Sequence, residues 1–240
     1  MPVARAYGAA FGQLGDARVR GVIARVVLLT LVTFGAMAWG LWLAVSQIDP
    51  STAFDTIPIA WLQSMLEWLL GRLIWVLGGF VFLVVLWLLF AATAQFYASF
   101  YLERVAAAVE ARHYPGLAPP RTAPVWETVT GTVRFFLAMV AINLVAIPFY
   151  LIPGIGPIAF FLVNGYLLGR EYFELMAERR LVAAEMRRAR RLHRGPILVA
   201  GLIATGLFTL PVVNLLAPIV AAAAMVHIVQ GLTRTAATTG

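Results

Sequence analysis

The sequence predicts an all-α integral membrane protein. Its elements are two long transmembrane helices, two short helical hairpins broken at Pro and Gly, and a basic interfacial helix. Three observations carry this. Hydrophobic residues make up 62% of the 240 residues and charged residues only 12%, about half the usual share of a soluble domain. Two stretches, Val26–Val45 and Leu73–Leu102, run for 20 and 30 residues without a charge. Two uncharged Pro-bounded breaks, Ile152–Pro157 and Pro211–Pro218, each join two short apolar arms. Low-hydrophobicity disorder is excluded by the same composition, and 1–240 is read as one polytopic membrane domain.

Residues 1–25 form a cytoplasmic N-terminal segment without the apolar core of a signal peptide, since Asp16, Arg18 and Arg20 interrupt it. Span 1 covers 26–45, roughly 30 Å as a helix, enough to cross a bilayer core. Between the spans, Trp61, Leu62, Met65, Trp68 and Leu69 recur at helical spacing. They predict a short amphipathic helix in the interface, or else the early turns of the second span. Span 2 covers 73–113; its charged end, through Glu103 and Arg104, continues as the same helix into water until Pro115-Gly116 stops it. Arg5, Arg18, Arg20 and Arg25 precede the pair, and Arg104, Arg112, Arg121 and Arg134 follow it. The connection holds Asp49, Asp55 and Glu67 against Arg72 alone, so both termini are expected in the cytoplasm.

Hairpin 1 is expected over 130–170 and hairpin 2 over 196–232. A loop that reaches water is normally polar, and neither break carries a charge. The hairpins therefore re-enter from the cytoplasmic side or cross as tight pairs; the side of return is the same. They resemble each other weakly, as broken helices at transporter sites do, although any membrane hairpin needs helix breakers. Between them, 171–195 is a basic amphipathic segment with seven Arg in the sixteen residues Arg179–Arg194. Anionic lipid is its expected partner and nucleic acid is not.

The chemistry is bounded from the other side by what is missing. All 18 basic residues are Arg, and there is no Cys, which excludes disulfides, thiolate metal sites and lysine Schiff bases. His113, His193 and His227 lack ligand spacing, and no HExxH or Walker sequence occurs. Neither an enzyme, a cofactor nor a metal site is expected, and nothing in the chain drives transport with ATP.

The segment Asn164-Gly-Tyr-Leu-Leu-Gly169-Arg170-Glu171-Tyr-Phe-Glu174 follows the first break, and Leu207-Phe-Thr-Leu-Pro211-Val-Val-Asn214-Leu-Leu-Ala-Pro218 forms the second. With Asp16-Ala-Arg18-Val-Arg20 before span 1, this resembles the CysZ family of sulfate-uptake proteins, grouped with the etoposide-induced protein 2.4, over roughly residues 5–232. The resemblance implies an inner-membrane protein with two long helices and two partly inserted hairpins that moves sulfate into the cell. It also places basic residues for sulfate ahead of span 1. Arg20 matches the first of an adjacent Arg pair, Gly21 stands where the second would be, and Arg18 is the substitute from two residues earlier.

The anion-binding candidates are thus Arg18 and Arg20, which double as a positive-inside anchor. Pathway or hairpin-break candidates are Pro153, Gly154, Gly156, Asn164, Arg170, Glu174, Pro211 and Asn214. Gly154 and Gly156 let backbone approach an anion or simply make a turn. Asn143, Asn164 and Asn214 are expected to hydrogen-bond between helices, or to line a pathway. Arg170 and Glu174 have the spacing of a structural i, i+4 pair that could also gate an exit. His227 is expected to be hydrogen-bonded rather than catalytic. Sulfate or a related oxyanion is the expected partner, in a homo-oligomer, because four short arms cannot easily enclose a polar path. The alternative is a membrane-shaping scaffold that binds anionic lipid.

Overall fold

The protein was analysed as a computed structural model, which describes residues 2–47, 59–210 and 213–238. The described residues are helical, with no strand: α1 (Val3–Gln13), α2 (Ala17–Ser46), α3 (Ala60–His113), α4 (Val125–Tyr150), α5 (Gly156–Ala177), α6 (Ala183–Leu192), α7 (Arg194–Thr209), a 3-10 turn (Val213–Leu215) and α8 (Ala217–Thr238). The chain divides into two units, Arg25–Tyr97 and the remainder, Met1–Ala24 with Ala98–Gly240.

The Arg25–Tyr97 unit pairs most of α2 with the first part of α3. Thr33 and Tyr97 share a hydroxyl hydrogen bond of 2.8 Å, Phe34 meets Phe90 edge to face at 5.3 Å, and the Thr93 hydroxyl oxygen, which donates to the Leu89 carbonyl, lies 3.9 Å from the Met37 sulfur. From Thr33–Tyr97 to Met37–Thr93 the numbers rise by four on one helix and fall by four on the other, so the two run antiparallel. Most remaining large apolar side chains here are exposed, including Leu28, Val32, Trp39, Val76, Phe80 and Leu83. An apolar surface of that extent belongs against lipid.

The interfacial helix expected at 61–69 is instead the beginning of α3, which has 54 residues without interruption. No Pro occurs between Pro58 and Pro115, and Gly71 alone costs only ~1 kcal/mol of helix. The charged extension to His113 is continuous with the span, as expected. At about 80 Å, α3 exceeds the thickness of any bilayer. Its end is set by Pro115 and by Gly116, whose φ of +94° only Gly adopts readily.

In the other unit the core is α8. From Ala217 to Gln230 every residue is buried, as a helix apolar on nearly every side, His227 and Gln230 apart, requires when it is enclosed by protein. Around it stand α1, α5 and α7. α1 places Ala6, Tyr7, Ala10 and Gln13 inward at helical spacing. Its Tyr7 hydroxyl donates to the Ala200 carbonyl of α7 at 2.7 Å, and burial pushes the Tyr7 phenol well above its ordinary pKa.

The closest approach is α5 against α7. Gly165 and Gly169, four apart, meet Gly201: a Cβ at Gly201 would overlap the Gly165 carbonyl oxygen, and one at Gly169 would overlap the Ile197 carbonyl. Small residues four apart allow such contact between membrane helices.

Two arms are longer than the sequence suggests. α4 has 26 residues and is long and apolar enough to cross a bilayer. The sequence predicts that the first hairpin begins at 130, but the helix starts at Val125, more than one turn earlier, where Glu127 is held by Arg121. α5 continues past Arg170 to Ala177 because Arg170 pairs along the helix with Glu174. The basic segment 171–195 is therefore not one helix: its first residues finish α5, and only α6 stands apart, at 85° to α7.

Candidate functional site

The sequence places its anion-binding candidates at the start of α2. Arg18 and Arg20 lie in the first turn, and both are exposed. The turn exists because Asp16 caps it. Its Oδ1 accepts the Arg18 backbone N–H at 2.8 Å, and its backbone carbonyl accepts the Arg20 N–H at 2.8 Å. Oδ2 of the same carboxylate receives Arg112, from the end of α3, at 2.7 Å. The Arg18 N–H and then Arg112 hold the Asp16 carboxyl below its usual pKa. A negative group thus already sits at the positive end of the α2 dipole. Among the described residues no carboxylate pairs with the side chains of Arg18 or Arg20. Two residues apart on a helix, these two side chains diverge instead of converging on one point.

At the first break, Gly154 has φ +83°, and a Cβ on Gly156 would lie 2.7 Å from the Tyr150 carbonyl oxygen. The N–H groups of Ile152, Ile155 and Gly156 are bonded to carbonyls within the turn. Pro153 is exposed. Turn geometry accounts for both glycines. At the second break, Asn214 lies in the 3-10 turn and its N–H donates to the Leu210 carbonyl at 2.7 Å. Pro211 lies outside the described residues.

The membrane asparagines differ from expectation. Asn143 and Asn164 donate to the carbonyls of Met139 and Phe160, each four residues back in its own helix, at 2.9 and 2.8 Å. A short amide side chain reaches that carbonyl more readily than a neighbouring helix.

Arg170 and Glu174 form the expected pair. Arg170 is buried, its Nε donates to Glu174 at 2.9 Å, and its guanidinium lies over the Phe135 ring at 5.3 Å. Glu174 also takes Arg190 of α6 at 3.2 Å, a partner that the spacing does not show.

Two polar clusters escape a sequence reading altogether. Arg179, 6% exposed, bridges Glu103 and Glu110 of α3 at 2.9 Å each, and Arg180 adds a second bond to Glu110 at 2.7 Å. In the other, the Gln13 amide of α1 lies 3.1 Å from His227 Nε2, and the Tyr114 hydroxyl lies 2.8 Å from His227 Nδ1. With Gln13 Nε2–H as donor, Nε2 of the ring is bare, so Nδ1–H donates to the Tyr114 oxygen. The His113 ring stands edge to face at 5.0 Å. His227 is hydrogen-bonded, as expected. For the start of α2 there is a sequence signal: Asp16 just ahead of a helical run, a capping residue in position.

Among the described residues no group of His, Asp and Glu is arranged to hold a metal. A family model described as sulfate transporter CysZ/etoposide-induced protein 2.4 matches residues 6–218. No curated protein matches the chain.

Proposed function

The chain belongs to the sulfate transporter CysZ/etoposide-induced protein 2.4 family, and from that premise we propose that it conducts sulfate or a related small oxyanion across the inner membrane, with both termini in the cytoplasm. The supporting observation is the pair Arg18 and Arg20, exposed at the start of a helix long and apolar enough to span. A dianion is costly to bring into low dielectric without donors around it. Guanidinium groups supply both charge and directed N–H bonds.

In this reading Arg18 and Arg20 gather the anion, and Asp16 limits how tightly it is held. The breaks of the α4–α5 and α7–α8 hairpins, with Pro153, Gly154, Gly156, Asn164, Pro211 and Asn214, line the route. Arg170 and Glu174 stand at its cytoplasmic end. Several copies of the chain enclose the path, and movement is passive, ion-coupled or driven by a partner. The test is radiolabelled sulfate flux into proteoliposomes holding the purified protein, against protein-free vesicles. Saturable flux competed by thiosulfate is expected, as is its loss in Arg18→Gln/Arg20→Gln with expression and thermal unfolding unchanged. Undiminished flux in that variant rejects the arginine site. Absence of flux in a folded sample favours the membrane-shaping alternative, which draws on the exposed basic face of α6.

A further inference from the structure

Seven arginines fall in Arg179–Arg194, and the fold sorts them. Arg179 and Arg180 are spent on Glu103 and Glu110, and Arg190 on Glu174. Arg187, Arg188, Arg191 and Arg194 are exposed, and none of the four forms an ion pair among the described residues. The sorting follows from how α6 is clamped. The Ala183 N–H donates to Glu127 of α4 at 3.0 Å, and Arg190 reaches Glu174 of α5. Ala183, Met186 and Arg190 recur at helical spacing, so they share the inward face; Arg188 takes the opposite one, with Arg191 beside it and Arg187 at the edge between the two faces. The carboxylate of α6 itself, Glu185, turns back to the Val182 N–H at its N-terminus.

We propose that this outer face of α6 docks on an anionic phospholipid surface, with Arg187, Arg188 and Arg191 holding headgroup phosphates. α7 is apolar and meets α6 at 85°. When α7 enters a bilayer along its normal, α6 is left lying in the headgroup plane. At the corner Leu192 is 68% exposed beside Arg191 and Arg194, an apolar side chain at the depth of the acyl boundary. Val199 of α7, on the other side of the corner, is exposed as well. This favours a bilayer over a soluble polyanion, and it stands independently of the transported solute.

The absence of cysteine makes a single label simple. Full-length protein carrying Ala184→Cys, on the exposed side of α6, is labelled with a fluorophore. It is reconstituted in phosphatidylcholine vesicles with and without phosphatidylglycerol, and quenched by spin-labelled versions of each lipid. Preferential quenching by phosphatidylglycerol is expected. It should disappear in R187Q/R188Q/R191Q, each arginine near the surface being worth about fivefold in lipid affinity, and survive in R187K/R188K/R191K, which keeps the charge. Equal quenching by both lipids, or a preference unchanged in the glutamine variant, overturns the proposal. So does protection from aqueous cobalt that arises only when RNA is added.

Discussion

The α4–α5 and α7–α8 hairpins share a sequence pattern, apolar arm, Pro-bounded break, apolar arm, yet they are used in opposite ways. α4 exposes Trp126, Phe136, Leu137, Leu144 and Val145, and the first half of α5 exposes Ile158, Phe160 and Leu162. α8 exposes nothing from Ala217 to Gln230. Hydropathy does not separate them. Side-chain volume does: α8 is built on Ala217 and Ala221–Ala224, α7 on Ala200, Gly201 and Ala204, whereas the exposed arms carry large residues. Where the surroundings are as apolar as the interior, helices associate through close backbone packing, which only small residues permit. In this chain the enclosed hairpin is marked by its runs of small residues, between which larger ones such as Ile219, Met225 and Ile228 are also buried.

That contrast can be broken most severely at the crossing of α5 and α7. Gly201→Val puts a branched side chain into the Gly165 carbonyl; we expect a loss of ~3 kcal/mol or more, seen as early thermal unfolding in detergent. A matched pair of substitutions sharpens it. Ala222→Leu, in the fully buried α8, should cost roughly 1–3 kcal/mol by overpacking. Leu144→Ala, on a residue 62% exposed, should stay within about 0.5 kcal/mol. Equal effects would show that volume does not distinguish the hairpins. The smallest change is at the turn of the first hairpin: Gly154→Ala, at φ +83°, should cost about 1 kcal/mol and lower sulfate flux, because the turn lines the proposed route. Undiminished flux would leave that turn a geometric role alone.

Much of the architecture was legible because membrane helices announce themselves by length and charge. The first span, the break before Gly156, the charged extension of α3 and the Arg170–Glu174 pair all rest on local spacing. What escaped lies far apart in sequence. Gln13 and His227 are separated by 214 residues, and Arg179 from Glu103 by 76. No periodicity links such partners, so the arginines of Arg179–Arg194 read as one basic run although three of them are held internally. The helix at 61–69 was misread for a different reason: an amphipathic stripe with two Trp fits both an interfacial helix and the emerging end of a long span. Beside Arg18 and Arg20, the sequence names Asp16 but does not show that it caps α2 and pairs with Arg112. An acidic residue ahead of a helix was counted as an interruption instead of a cap.

The buried position of α8 has a consequence for how the chain is made. α8 follows in chain order every helix it packs against. During synthesis, α1, α5 and α7 therefore leave the ribosome before the element that unites them exists, and Gln13 waits for His227. Until then Gln13 and the inward face of α1 lack the helix they pack against, although Gly201 can already meet Gly165 of α5 and Tyr7 can already reach Ala200 of α7. Assembly of this unit is a late event that follows insertion of the spans, with closure joining the first helix to the last.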